Sequence, residues 1–199
     1  MSSPPDERLE RWLAAVLATP GLTGLRDLAE ARRRLVEDSL RGVPALARFG
    51  GPVVDVGSGG GVPGIPLAAA LPVREVTLLE ATRRKADFLE RWVSDFPNLR
   101  VVWGRAEEQP ADSFGVALAK ALAPPAVALE WSLPLVRPGG AAVIWVGPAV
   151  SGAELAGPAE RLGGGEPELE NGLFIVPKLT ATPAGFPRRV GVARKHPLT

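Results

Sequence analysis

"VVDVGSGGGVPGIP", residues 53–66, joins an apolar run carrying one acid to five glycines and two prolines. Glycine weakens regular structure, so a cluster this dense marks either a sharp bend or a place where a ligand lies against bare main chain. Its surroundings bear on the choice. "PVVDV" (52–56) has the short apolar pattern of a buried strand. "PGIPLAAAL" (63–71) reads as a helix with its prolines in the first turn, where a missing N–H is tolerated. The glycines therefore lie in a strand-to-helix turn.

The alternation continues on both sides. "EVTLLE" (75–80), "LRVVWG" (99–104), "FGVALAK" (114–120) and "AAVIWVG" (141–147) read as strands. "TRRKADFLERWVSDF" (82–96) reads as a helix with Ala86, Leu89 and Val93 inward and Thr82 as its N-cap. "PPAVALEWSLPLV" (124–136) is a further helix, ended by "RPGG". Near the C-terminus, "GLFIVPKL" and "RRVGVARK" fit an antiparallel edge hairpin, and "GPAERLGGGEPELENG" (157–172) reads as a mobile loop. Upstream, Leu9, Trp12, Leu13, Val16 and Leu17 recur at helical spacing, so a helix is expected over 6–18, closed by "TPG". A second is expected over 25–41. Trp12, Trp92, Trp103 and Trp145 lie in apolar patterns and read as core, whereas Trp131 is ambiguous. The expectation is one α/β domain over 1–199: a helical cap (1–50), then a Rossmann-like core (51–199) whose mostly parallel sheet has an antiparallel edge.

Composition narrows the chemistry. The chain has 199 residues, 46% hydrophobic and 23% charged, with no cysteine and one histidine, His196. That removes disulfides, thiolate nucleophiles and cysteine–zinc sites, and leaves no basis for histidine metal centres or a Ser-His-Asp triad. No stretch is long and apolar enough for a membrane helix. "MSSPPDERLERW" lacks the basic start and apolar core of a signal peptide, so a cytoplasmic location is expected. The net charge is only +1, but its distribution is uneven. Residues 171–199 carry Lys178, Arg188, Arg189, Arg194 and Lys195 and no acid, whereas 151–170 hold five glutamates and one arginine. On composition alone this is either two solvated faces or a phosphate-binding patch.

In an open parallel sheet, ligands bind at the carboxyl ends of the strands, and the first strand-to-helix turn is the usual place. Gly59, Gly61 and Gly64 match G-x-G-x-x-G, so a dinucleotide site is one reading. Counted from the strand end, however, the register is Asp55-x-Gly57-x-Gly59-x-Gly61, and an acid two places before the first glycine is typical of S-adenosylmethionine sites, where it can meet the ligand's amino group. Glu80 ends the second strand, placed to accept hydrogen bonds from both ribose hydroxyls. The polar pair in "VWGRAEEQ" stands where an adenine is commonly bordered. Arg105 reads either as a ligand contact or as an ion-pair partner of Glu107 or Glu108.

These blocks resemble the RsmG (GidB) family, which methylates N7 of one guanine in 16S ribosomal RNA. "DVGSGGGVPGIPL" is similar to the family's ligand loop, "LLEATRRKADFLE" to its second-strand block, "GRAEE" to its adenine-side block, "AKALAP" to the block after the fourth strand, and "FPRRVGVARKHPL" to its basic tail. "LTGLRD" and "EDSL" resemble its N-terminal blocks, and the likeness runs from about residue 21 to the end. The resemblance implies a class I S-adenosylmethionine-dependent methyltransferase fold, with cofactor contacts from Gly57, Val62, Glu80, Ala106, Glu107 and Lys120. It implies S-adenosyl-L-methionine as cofactor and the small ribosomal subunit or its RNA as partner. Three positions depart from the family pattern: Gly21 replaces an asparagine, Leu35 a histidine and Lys120 an arginine. The chemistry is compatible, because guanine N7 carries a free lone pair and no proton and needs no general base. Arg188, Arg189, Arg194 and Lys195 are the expected RNA contacts, and a monomer is expected.

Overall fold

The chain enters its first helix through Asp6, whose carboxylate accepts the N–H of Arg8 and so caps α1 (Glu7–Ala18). The computed structural model describes residues 6–199; residues 1–5, the start of the polar N-terminal stretch, lie outside the described residues. The next helical run begins at Leu28 rather than at 25, because Asp27 caps it by accepting the N–H of Glu30 at 2.8 Å. It comprises α2 (Leu28–Ala31), a π-helical stretch (Arg32–Glu37) and α3 (Asp38–Leu40). A short α4 (Val43–Ala47) follows, too brief to show a period in the sequence.

Seven strands form one sheet: β1 (Val53–Val56), β2 (Val76–Glu80), β3 (Leu99–Trp103), β4 (Phe114–Lys120), β5 (Val136–Trp145), β6 (Glu168–Glu170) and β7 (Leu173–Pro177). Their order is β3-β2-β1-β4-β5-β7-β6; the first five are parallel, and β7 runs antiparallel to both β5 and β6. The helices α5 (Gly64–Ala70), α6 (Arg83–Glu90), α7 (Pro125–Ser132), α8 (Ala153–Arg161) and α9 (Val192–Lys195) complete the fold.

Side chains alternate across the sheet. Val53, Val76, Leu78, Val116, Leu118, Val143 and Ile175 point to one face, where they pack with Trp12, Leu13 and Val16 of α1, Leu46 of α4, Ile65 and Leu67 of α5, and Leu89 of α6. Ala119, Ala142, Ile144, Phe174 and Val176 point to the other, against Leu129 of α7 and Leu155 of α8. The N-terminal helices are thus fastened to the sheet. The Trp12 indole donates to Gly60 O at 2.9 Å, and the Trp145 indole to Asp38 O at 2.9 Å.

Four expectations need correction. The helix expected over 82–96 ends at Glu90, and Thr82 holds its N-cap position without a side-chain capping bond. "RPGG" does not separate a helix from a strand. The helix stops at Ser132, a 3₁₀ turn spans Leu133–Leu135, and β5 already begins at Val136. Glycine at 140 permits this, since a Cβ there would overlap Gly115 O on β4. "RRVGVARK" is not a strand; its second half forms α9. The hairpin partner of β7 comes from the expected loop, which instead supplies the end of α8 and all of β6. Asn171 (φ 49°) and Gly172 (φ 71°) make the tight turn between β6 and β7.

Candidate functional site

Asp55 lies two residues after Val53 and so points to the same face of the sheet, beneath the glycine loop. Its Oδ2 accepts the N–H of Gly64 at 3.0 Å, and its Oδ1 has no partner among the described residues. Complete burial pushes the carboxyl up to about 7, against the lowering influence of the Gly64 N–H. The loop above it turns through left-handed backbone at Gly57 (φ 71°), Gly59 (φ 58°) and Gly61 (φ 98°). Glu80, at the end of β2, holds the loop from the other side. Its Oε2 accepts the N–H of Gly59 at 2.9 Å and its Oε1 the N–H of Thr82 at 2.7 Å.

A cleft of about 560 Å³ opens over the carboxyl ends of β1–β4, within the usual range for small-molecule sites of roughly 300–1,000 Å³. Gly57, Glu80, Ala106 and Glu107 line it together with Leu122 and Trp131. A Cβ at position 57 would overlap Leu122, so the glycine keeps this floor open. The carboxylates of Glu80 and Glu107, set beside the apolar surfaces of Ala106, Leu122 and Trp131, suit a ligand with hydroxyl and amino donors.

Of the residues expected to bind the cofactor, Gly57, Glu80, Ala106 and Glu107 are brought together in this cleft, whereas Asp55, Gly59, Gly61, Val62 and Lys120 are not among its lining residues. Asp55 is fully buried beneath the loop and anchors it through the Gly64 N–H. Gly61 and Val62 close the loop by donating their N–H groups to Ser58 O at 2.7 and 3.1 Å. Lys120 follows Leu118 by two residues and faces the N-terminal helices. Its ammonium lies 2.9 Å from Asp38 Oδ2 and donates to Arg34 O at 2.6 Å.

The basic residues divide in the same way. Arg188 is committed to the protein: its guanidinium bonds both oxygens of Glu130, a residue only 2% exposed, and donates to His196 O at 2.8 Å. That corrects its expected role as a free phosphate contact. Arg194 lies over the Trp131 ring, 5.1 Å from its centroid, and lines the cleft. Arg189 and Lys195 are exposed and carry no side-chain partner among the described residues. Arg105 makes no ion pair with Glu107 or Glu108 and also lines the cleft. Trp103 is not core: it is 58% exposed at the end of edge strand β3, under the Arg83 guanidinium. The sequence reading missed Leu122, Val190 and Gly191 as lining residues, and left Trp131 undecided. None has a local signal, because they converge only through the fold.

A family model described as GidB, rRNA small subunit methyltransferase G, matches residues 7–155, well over half of the chain. The chain belongs to this family. The ribosomal RNA small subunit methyltransferase G of Synechococcus elongatus is 35% identical over 198 residues, covering 89% of this chain and 82% of that protein. The protein of the same name from Rubrobacter xylanophilus is 39% identical over 173 residues, with 76% and 66% covered. Among solved structures, a putative S-adenosyl-L-methionine-dependent methyltransferase from Methanococcus maripaludis superposes with a TM-score of 0.57 at 15% identity, covering 92% of this chain and 99% of that one. The antibiotic-resistance methyltransferase Kmr gives 0.52 at 19% identity, covering 70% and 92%. At these identities the likeness is one of fold: the class I methyltransferase sheet with its antiparallel edge. As a small-subunit rRNA methyltransferase G, the chain uses S-adenosylmethionine as methyl donor. Among the described residues, no helix is long and apolar enough to cross a membrane.

Proposed function

We propose that the chain methylates N7 of a guanine in 16S ribosomal RNA, with the cleft beside the glycine loop as its cofactor site. The observation that carries this reading is the meeting of Gly57, Glu80 and Glu107 over the ends of β1–β3 in a family of known methyl-transfer function. Glu80 keeps a lone pair on each carboxylate oxygen after binding Gly59 and Thr82, so it can still accept from the two hydroxyls of a ribose. Ala106 and Leu122 offer apolar surface to a purine, and Glu107 an acceptor for its amino group. When bound, S-adenosylmethionine supplies a methyl group already activated on a sulfonium. The residues of this chain have only to position the two reactants, since guanine N7 brings its own lone pair and loses no proton. The cleft accordingly has no histidine, cysteine or serine among its lining residues.

N7 faces the deep major groove of A-form RNA, which side chains do not read, so the target guanine is one that is unpaired or splayed out when it reacts. Arg189, Arg194 and Lys195 are the tail residues placed to hold phosphate. In this reading the chain acts as a cytoplasmic monomer, and its cap (1–50) and core (51–199) work as one unit. Calorimetric titration with S-adenosylhomocysteine tests the site. The wild type should bind, and Glu80→Gln should weaken binding by about tenfold, since its NH2 can neither accept from a ligand hydroxyl nor keep both backbone bonds to Gly59 and Thr82. Equal affinity in the two proteins would place the cofactor elsewhere.

A further inference from the structure

Composition casts the last fourteen residues as a basic tail, but the stretch is anchored to the molecule at Ala193 and Leu198, both buried. Leu198 is 3% exposed in the cluster formed with α7 and α8, and Phe186 packs beside it. The main chain of Thr199 runs so close to α8 that a Cβ on Gly157 would meet it at 3.1 Å. Between these anchors the chain turns through Gly191 (φ 82°) and sets Val190, Gly191 and Arg194 along the cleft. Three contacts tie this stretch to the opposite walls. Arg188 grips Glu130 of α7 with both arms of its guanidinium. The Gly191 N–H donates to Glu107 Oε1 at 3.4 Å. Arg194 lies over Trp131. Two of the three end on residues that themselves line the cleft, and the third, Glu130, is the sequence neighbour of Trp131. All of the stretch lies beyond residue 155, where the match to the family model ends.

We propose that residues 186–199 form a fixed wall of the cofactor cleft, and that Arg188 and Glu130 are positioning residues that hold the wall against Glu107 and Trp131. The inference rests on the cleft being the cofactor site. A pre-set wall excludes water from one side of the ligand and spares the ordering that binding would otherwise require. Its effect belongs to cofactor binding rather than to the transfer step. The charge of Arg188 is spent on Glu130, so its removal leaves the RNA-facing cations in place. The bidentate grip also explains an arginine at this position, because lysine has no planar fork to match a carboxylate.

The test compares the wild type with the charge-free pair Glu130→Gln/Arg188→Gln and, independently of the buried pair, with Val190→Ala at an exposed position of the wall. Affinity for S-adenosylhomocysteine, KM and kcat for S-adenosylmethionine, and affinity for 16S RNA are measured for each. Both variants should lose cofactor affinity by at least about fivefold, with KM rising in step. At saturating cofactor, kcat should stay within about twofold, and RNA affinity should be unchanged. Should the paired variant not fold, Val190→Ala decides alone. Weaker RNA binding with cofactor affinity intact would return Arg188 to the RNA surface and overturn the proposal. Unchanged cofactor affinity in every folded variant would overturn it equally. A wild type that does not bind S-adenosylhomocysteine would instead remove the cofactor reading on which the wall depends.

Discussion

Asp55 is an acid that water cannot reach, and its position has a consequence for stability. The folded carboxyl titrates at about 7, pushed up mainly by burial, whereas an ordinary aspartate titrates near 3.8. Between these values the folded chain binds more protons than the unfolded one, so stability should fall as pH rises from about 4 to about 7. Asp55→Asn keeps an acceptor for the Gly64 N–H and abolishes the titration. Thermal melts from pH 4 to 8 should show the wild type losing stability relative to the variant by roughly 2–4 kcal/mol across that window. Parallel profiles would show that Asp55 is not held in this way. At Gly57 the requirement is steric: its left-handed backbone (φ 71°) strains any side chain, and a Cβ there would displace the Leu122 side chain that lines the cleft. Gly57→Val should therefore weaken S-adenosylhomocysteine binding by about tenfold or more, measured by calorimetry. The positions of Asp55 and Lys120 follow from strand alternation, since each lies two residues after an apolar residue of the face covered by α1 and α5. Trp103 departs from its expected place in the core because an apolar strand pattern does not reveal that β3 is an edge strand, with no neighbour on its outer side.

The elements recovered from sequence are those with a strong period and a clear terminus. β1, the glycine loop, β2 and α1 were each legible, because buried strands read as apolar runs and Asp6 and Gly57 punctuate them. In the C-terminal third β7 was legible as an apolar run, but its hairpin partner and the helix after it were not. β6 has only three residues, two of them glutamates, so its one signal was the Asn171–Gly172 turn that a two-residue hairpin favours. The π-helical stretch at Arg32–Glu37 has no sequence signature, and there the periodicity showed only that a helix is present. How β7 is secured is a matter of tertiary structure. The ammonium of Lys178, 1% exposed, donates to Leu162 O at 2.7 Å and Thr182 Oγ1 at 2.8 Å, joining the strand to the end of α8 and to the segment that leads into the C-terminal wall. Burial lowers its pKa to about 8, opposed by Asp112. Lys178→Met would leave the Leu162 carbonyl without its partner, and urea unfolding should show a loss of about 1–3 kcal/mol.

At the scale of the whole molecule, the cleft lies where the strand order reverses, between β1 and its neighbour β4, as open parallel sheets require. That architecture was legible from the alternation of strands and helices. The closing of the cleft by the chain's own C-terminus was not, because it depends on residues 58 positions apart meeting in space. The basic C-terminal region is consequently divided: Arg188 is turned onto Glu130, and Arg189 and Lys195 are exposed. Arg189→Glu/Lys195→Glu should weaken 16S RNA binding and flatten its salt dependence by about 0.7–0.9 for each phosphate that is no longer neutralised, with S-adenosylhomocysteine affinity unchanged. A filter-binding titration at several salt concentrations checks this. Methyl transfer to guanine N7 is checked by offering labelled S-adenosylmethionine with 16S RNA, and with small subunits lacking the modification, and identifying the product base by mass spectrometry. The expected product is 7-methylguanine at a single site. Label on any other base or atom, or no transfer by a protein that binds the cofactor, would overturn the guanine-N7 reading.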